Sequence, residues 1–583
     1  MTRKYNGTKR NVLTRSLMFA VCLACILAVL PAHAQETPAP GATPFAQPAI
    51  TAAPTVTPAP SGREPAASAS PSGAPSTSPG VTPSGSPSAS PSPTASPTPP
   101  PITANPQNVQ VPIGTTQTVT LNGIFGTFTA VAQDPKLADV SVNQEARTIS
   151  IAGKAPGATS VTITDARGVT GYVGVRTAYN AATLPQFLTI RITGDPASAD
   201  FVRRVVARQI INATVLQKGA QVVVSSDDVP IRRNLAQDNS EVFDVPVLAQ
   251  GEQYFTVQGN TRVQLENIAA PRISPDSLMV SDYPERLTEN GTLFTADLHR
   301  DAPSRFLYFH YNPPGQPDRR IVLMAENHST EPSTVQFISG RGGPTNNEMS
   351  VGHDATRDFL VSVVQNQGRL LTIPASSTIP IAIQDLPAAS VVANLLQLRV
   401  LSGGDIHLTL VAQDATEDPG SALTTGALLM STVRHARGIY DIPEFHYAAQ
   451  WNVNDAYLEL PIGQIPLPNT IKGETLAGDY GVLQSFVVNV QNPLNRPQAI
   501  AIYENPRGGR STGTYVIDGV LVQSHQVPPF SRYKVRQYVV PAKGFVRITI
   551  VTMPEAGSSY PLKLIFAPDD GSVAPGAPGS PIY

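Results

Sequence analysis

Thr148-Ile149-Ser150-Ile151, the linking run Ala152-Gly153-Lys154-Ala155-Pro156-Gly157, and Ser160-Val161-Thr162-Ile163-Thr164 together decide the fold class. In both flanks a branched apolar residue alternates with serine or threonine, the period of a strand with one face on a core and the other in water. The middle run holds the glycines and proline that reverse a chain. Working outward, the same alternation recurs in Gln117-Thr118-Val119-Thr120-Leu121 and Phe128-Thr129-Ala130-Val131. Short strands at such spacing predict an antiparallel sandwich over residues 104–180.

Asp134-Pro135, Ala138-Asp139-Val140-Ser141-Val142 and the run from Ile151 to Asp165 resemble bacterial Ig-like domains. They also resemble the small N-terminal β-domain of pilus-assembly secretins, over residues 104–178 alone. The resemblance implies a β-module serving envelope assembly or surface adhesion, without catalysis. Nothing after it has the glycine-rich, barrel-forming character of a complete secretin.

Further along, residues 187–192 read as a strand, Asp195-Pro196 as a helix cap and first-turn proline, and residues 197–215 as a helix. Phe201, Val202, Val205, Val206 and Ile210 share one side of that helix, whereas Arg203, Arg204 and Arg208 read as its solvated face. A second strand at 221–224 completes a small strand-helix-strand and β unit over 187–272. Two later segments share a pattern: Asn327 with Pro332, Val335 and Phe337 before Gly340-Arg341-Gly342-Gly343, and Asn492 with Pro497, Ile500 and Ile502 before Pro506-Arg507-Gly508-Gly509. Asn and Pro build turns, and alternate apolar positions mark the strand that follows. Two related sandwiches are therefore expected, at 275–414 and 437–567, joined by a linker at 415–436 and followed by a disordered tail at 568–583. The expected class is mainly β: tandem Ig-like β-sandwich domains with one small α/β insertion.

At the start, basic residues, the apolar run 17–30 and Ala32-His33-Ala34 form the three parts of a secretory signal over 1–34. The run is too short to span a bilayer, so cleavage is expected and no transmembrane segment is expected afterwards. Residues 35–103, rich in Pro, Ser, Thr and Ala, cannot bury enough apolar surface to order themselves and read as a disordered stalk. Both cysteines, Cys22 and Cys25, and five basic residues lie in the leader, leaving 36 basic against 43 acidic residues beyond it. That net of −7 excludes a phosphate-tracking nucleic-acid binder, and the lack of further cysteine excludes disulfides and thiolate chemistry there.

Neither HExxH nor GxSxG occurs. His435, Glu444 and His446 form the closest group of metal-type ligands, and Tyr447, Trp451 and Tyr457 the closest set of aromatic rings suited to stacking on a sugar. No catalytic residue and no cofactor is expected. The expected function is that of a non-catalytic, exported bacterial protein of the periplasm, cell surface or medium, binding an envelope or surface protein or its own copies. An array of polysaccharide-binding modules is the alternative, and a secreted enzyme with an unrecognised site a third.

Overall fold

The computed structural model describes residues 100–422, 426–469 and 474–572. The signal, most of the stalk and most of the tail lie outside the described residues. Among those described, no helix is long and apolar enough to cross a membrane.

Residues 102–178 form two four-stranded sheets face to face. One contains Thr116–Asn122, Thr148–Gly153 and Ala138–Asn143, the other Phe128–Ala132, Gly157–Asp165 and Thr170–Ala178. Ile149, Ile151, Val161 and Ile163, the apolar halves of the alternating runs, are buried between them.

Next comes the small α/β unit. Its helix α1, Ala199–Ala213, buries Phe201, Val202, Val206 and Ile210 on a sheet, as the apolar spacing requires. The cap is Ser198 rather than Asp195, its hydroxyl accepting from the Phe201 amide. The unit's strand Phe187–Thr193 runs parallel to Val257–Asn267 on one side. On the other it pairs with Gly368–Ile373 through two residue pairs, Ile192↔Arg369 and Thr193↔Gly368. The unit thereby joins a ten-stranded sheet shared with the first large sandwich. A buried amide network backs this short joint. Gln336 donates to the Thr193 hydroxyl (2.9 Å) and to Asn366 Oδ1 (3.0 Å), and Thr193 donates to the Asn366 carbonyl (2.8 Å).

The two large sandwiches have the same strand order. Nine strands in each, counted along the chain without the two-residue pair Leu467–Pro468 and Thr475–Leu476, form sheets of order 6-5-8-3-1 and 2-9-4-7, the first and third strands parallel. Strand Arg437–Tyr440 pairs with Ser277–Ser281 and so belongs to the first sandwich's sheet; the second begins at Glu444, not at residue 437. The 415–436 segment is partly built in, with Leu428 bridging to Thr292 and Ser431 bonded to the Tyr283 hydroxyl.

The expected equivalence of Asn327 and Asn492 fails. Asn492 follows the third strand of its sandwich, Leu483–Gln491, while Asn327 ends the fourth strand of the other, Arg319–Asn327. The counterpart of Asn492 is Asn312, at the end of the third strand Ser304–Asn312. The Asn312 amide donates to Pro317 and Leu386 carbonyls, that of Asn492 to Arg496, Val540 and Pro541 carbonyls; Leu386 and Val540 both end the seventh strand. Asn327 stands opposite Ile406, the first residue of the ninth strand, the place that Pro506 takes opposite Leu562, so it has no asparagine counterpart; in the fifth strand Phe337 and Tyr515 occupy the same inward position. Val335 and Phe337 lie in a fifth strand, Ile500 and Ile502 in a fourth. Each asparagine closes a crossing between sheets, where strand-end carbonyls would otherwise be buried without a donor.

The Arg-Gly-Gly runs differ for the same reason. Gly340 and Gly342 sit inside strand Ser333–Thr345, where a Cβ would meet the Ala355 carbonyl oxygen at 2.2 Å or that of Val351 at 1.8 Å. They exist so that helix α2, Glu348–Val364, can lie directly on the strand. Gly508 and Gly509 are in the turn after the second sandwich's fourth strand. Sequence reading missed α2 altogether, although its cap Asn347 and the four-residue spacing of Val351, Ala355 and Phe359 are present.

Candidate functional site

The seam between the large sandwiches gathers a cluster of buried charged groups, His353, Glu555 and Arg305 among them. Helix α2 meets the segment 553–560 at Gly352, where a Cβ would stand 1.6 Å from the Ala556 carbonyl oxygen, and Gly557, where it would stand 2.4 Å from that of Glu348. This close fit brings His353 Nδ1 to 3.1 Å from Glu555 Oε2, with both residues buried. Glu555 also accepts from the hydroxyls of Thr512 and Thr514. Burial, the largest influence, works against the His353 charge, yet the bond to Glu555, the Glu555 charge and the Gln523 bond together outweigh it and hold the imidazole above its ordinary value. Its Nε2 faces the Gln523 amide oxygen at 2.9 Å, not a hydroxyl, so this pair aligns no nucleophile and acts as a clamp. Nearby, burial raises Glu504, which is held by the Ser511 and Ser524 hydroxyls.

Arg305, wholly buried, straps the same seam. It donates to the Pro443 carbonyl (2.7 Å) and pairs with Glu444 (2.8 Å). Glu444 is therefore committed to an ion pair, and His446 is an exposed side chain 3.6 Å from it. The expected group His435, Glu444 and His446 does not assemble as a metal site. His435 is brought instead to Asp282 and Glu285, their donor atoms all within 4.8 Å of one another. His435 Nδ1 lies 2.9 Å from Glu285 and 3.6 Å from Asp282. Burial pushes the Asp282 carboxyl up to about 7, while Asp282 and Glu285 raise His435. In this arrangement the two carboxyls favour the charged form of His435, and His435 favours theirs. Asp282 and Glu285 had no local signal, since they lie about 150 residues before His435.

The aromatic set does not form a sugar platform. In strand Glu444–Asn452, residues 447, 449 and 451 share the face that packs on the core of the second sandwich. Trp451 is 3% exposed, edge-on to Phe566, and Tyr447 stacks on Phe486 with ring centroids 5.0 Å apart. Tyr457 alone is open to solvent.

Against known proteins, residues 105–174 match the family described as the pilus formation protein N terminal region. The match covers one of the four folded parts, the sandwich containing the Gly-Lys-Ala-Pro-Gly turn. No curated protein matches the chain. Among solved structures, domains 5-6 of the S-layer protein SbsC are 15% identical over 29% of this chain and 97% of theirs, with a TM-score of 0.12. The human desmocollin-1 ectodomain is 12% identical over 34% and 45%, TM-score 0.12. Bacteroides ovatus SGBP-B, in complex with a mixed-linkage heptasaccharide, is 8% identical over 52% and 71%, TM-score 0.12. Likenesses this weak carry no argument.

Proposed function

We propose that this is an exported, non-catalytic protein of the bacterial envelope, whose N-terminal sandwich engages an envelope or pilus-type assembly and whose remaining domains form a rigid support. The match of residues 105–174 to a pilus formation module carries this reading. Packing supports the second half. The α/β unit shares a sheet with the first large sandwich, and the two large sandwiches interlock through glycines, a buried arginine and the His353–Glu555 clamp. Such fused joints suit a spacer that must hold a module at fixed orientation, whereas loosely linked domains would let it wander. We infer that the second support sandwich arose from the first by duplication, since both share one strand order and a buried asparagine at the end of the third strand.

The test is in-frame removal of residues 105–174 from the chain in its native host. Export and folding of the remainder should persist, while crosslinking of the chain into high-mass envelope complexes should be lost. Full-length protein found only as a monomer, equally so with and without the module, would overturn the assembly role. Saturable hydrolytic turnover that survives repurification would overturn the non-catalytic one.

A further inference from the structure

A cleft of about 420 Å³ opens where α1, the first large sandwich and the end of α2 come together. Four arginines line it: Arg204 and Arg208 from α1, Arg341 from strand Ser333–Thr345, and Arg369 from strand Gly368–Ile373. Strand periodicity explains how two of them reach this place. Phe337 and Arg341 share the face of their strand that looks into the sandwich, and Arg369 shares its face with Leu371 and Ile373. Phe337, Leu371 and Ile373 belong to the core or pack on it. The arginines continue the same inward rows at the mouth, where apolar residues would close a sandwich.

Among the described residues these charges have no protein counter-ion. Arg341 donates to the Ile383 carbonyl (3.0 Å), and Arg369 donates to the Ile381 carbonyl and lies 4.3 Å over the Phe337 ring. Carbonyl dipoles and a ring face orient a guanidinium without neutralising it. Among the described residues none of the four forms an ion pair, and the one acid lining the cleft, Asp358, is held by Arg357 at 2.9 Å. Burial, with Arg341 and Arg208 nearby, pushes Arg369 down to about 9, the mark of a charge held where it is uncomfortable.

We propose that this cleft is a binding site for a phosphomonoester. A single carboxylate offers one charge and two oxygens, whereas a phosphomonoester offers about −1.5 to −2 at pH 7 and three acceptor oxygens, which suits several converging guanidinium forks better. The apolar part of the wall, including Val205, Ile381 and Ile383, takes the organic portion of the ester. This inference stands apart from the assembly role and needs none of it.

The experiment is calorimetric titration of the exported chain with phenyl phosphate, inorganic phosphate and benzoate, in parallel on Arg208→Gln and Arg369→Gln. Phenyl phosphate should bind at least about tenfold more tightly than benzoate, a difference of about 1.4 kcal/mol, and each substitution should weaken it by a similar factor. Inorganic phosphate should bind more weakly than the phenyl ester if the apolar wall takes part. Without ligand, Arg208→Gln should melt no lower than the parent, because it removes repulsion and no bond, whereas Arg369→Gln trades relief of repulsion against the lost Ile381 bond and Phe337 contact and should melt within a few degrees of it. Equal affinity for benzoate, binding indifferent to both substitutions, or no binding at millimolar ligand would overturn the proposal. So would an Arg369→Gln chain that melts far lower yet still gains stability from phosphate, since the arginine would then be structural. Should that variant fail to fold, Arg208, which is exposed and makes no structural bond among the described residues, decides the matter.

Discussion

Replacing Gly352 by alanine puts one methyl group into the seam between the large sandwiches, and both the sign and the size of its effect follow from geometry. In an unobstructed helix interior, Gly→Ala stabilises by about 0.5–1 kcal/mol because the unfolded chain loses freedom. Here the new Cβ would lie 1.6 Å from the Ala556 carbonyl oxygen, a backbone atom with no rotamer to yield, so the segment after residue 552 must withdraw by roughly half the length of an ordinary van der Waals contact. Overpacking of this kind costs about 1–3 kcal/mol. The withdrawal also draws Glu555 from His353, and leaving such buried partners unmet costs about 1–3 kcal/mol more. The net expectation is a loss of about 1–5 kcal/mol, opposite in sign to the helix effect. Trp451, the single tryptophan, lies in the core of the second sandwich, so its emission follows that domain while far-UV circular dichroism follows the whole chain. In guanidinium, Gly352→Ala should move the Trp451 midpoint down and separate it from the dichroism transition. A variant as stable as the parent, or more stable, refutes the interlock.

Asp479 is buried at positive φ with one carboxylate oxygen lacking a partner among the described residues, and burial alone pushes it up to about 7. Its folded-state value exceeds the unfolded one, so the stability it permits is present below pH 4 and lost as pH rises through 7. Asp479→Asn, which suits that backbone, should gain about 1–3 kcal/mol at pH 8 and almost nothing at pH 4, read by denaturant midpoints. His353 is also raised, so the seam should weaken as pH climbs above the ordinary histidine range; His353→Gln should flatten that slope in pH-dependent melts. Asn492→Ala strips donors from three strand-end carbonyls and should cost about 2–4 kcal/mol in the Trp451 transition, and Asn312→Ala a similar amount in the first sandwich, followed by hydrogen exchange in Ser304–Asn312.

Alternation along single strands was legible in the sequence, because it depends on two faces and neighbours two residues apart; the first sandwich and the β-rich class followed from it. Helix α1 was legible from its 3.6-residue spacing. Helix α2 carried a comparable stripe, but it follows directly on the glycine-rich run 340–343, which reads as a turn in a β-sandwich, and it was overlooked. The duplication was sensed at the wrong offset for a physical reason. A buried asparagine amide can satisfy strand-end carbonyls at any crossing between sheets, so Asn327 makes bonds like those of Asn312 and Asn492 although it closes a fourth strand and they close a third. Local chemistry identifies a crossing without telling which one. The metal-type and sugar-type candidates failed because proximity in sequence was taken for proximity in space. In a strand, Tyr447 and Trp451 share the buried face, and His435 finds acids from the other end of the first large sandwich. The arginine cleft joins residues 204, 208, 341 and 369, which no short window contains.

The joint between the α/β unit and the first large sandwich has a mechanical consequence. Two ladder pairs and one amide cluster carry the strand contact there, against nine pairs where Ser304–Asn312 runs beside Ser390–Ser402. An envelope protein tethered at one end and loaded at the other would yield first at Thr193 and Gly368, while every core stayed closed. Gln336, in the fifth strand of the first large sandwich, is the amide that Thr193 would leave and to which it would return.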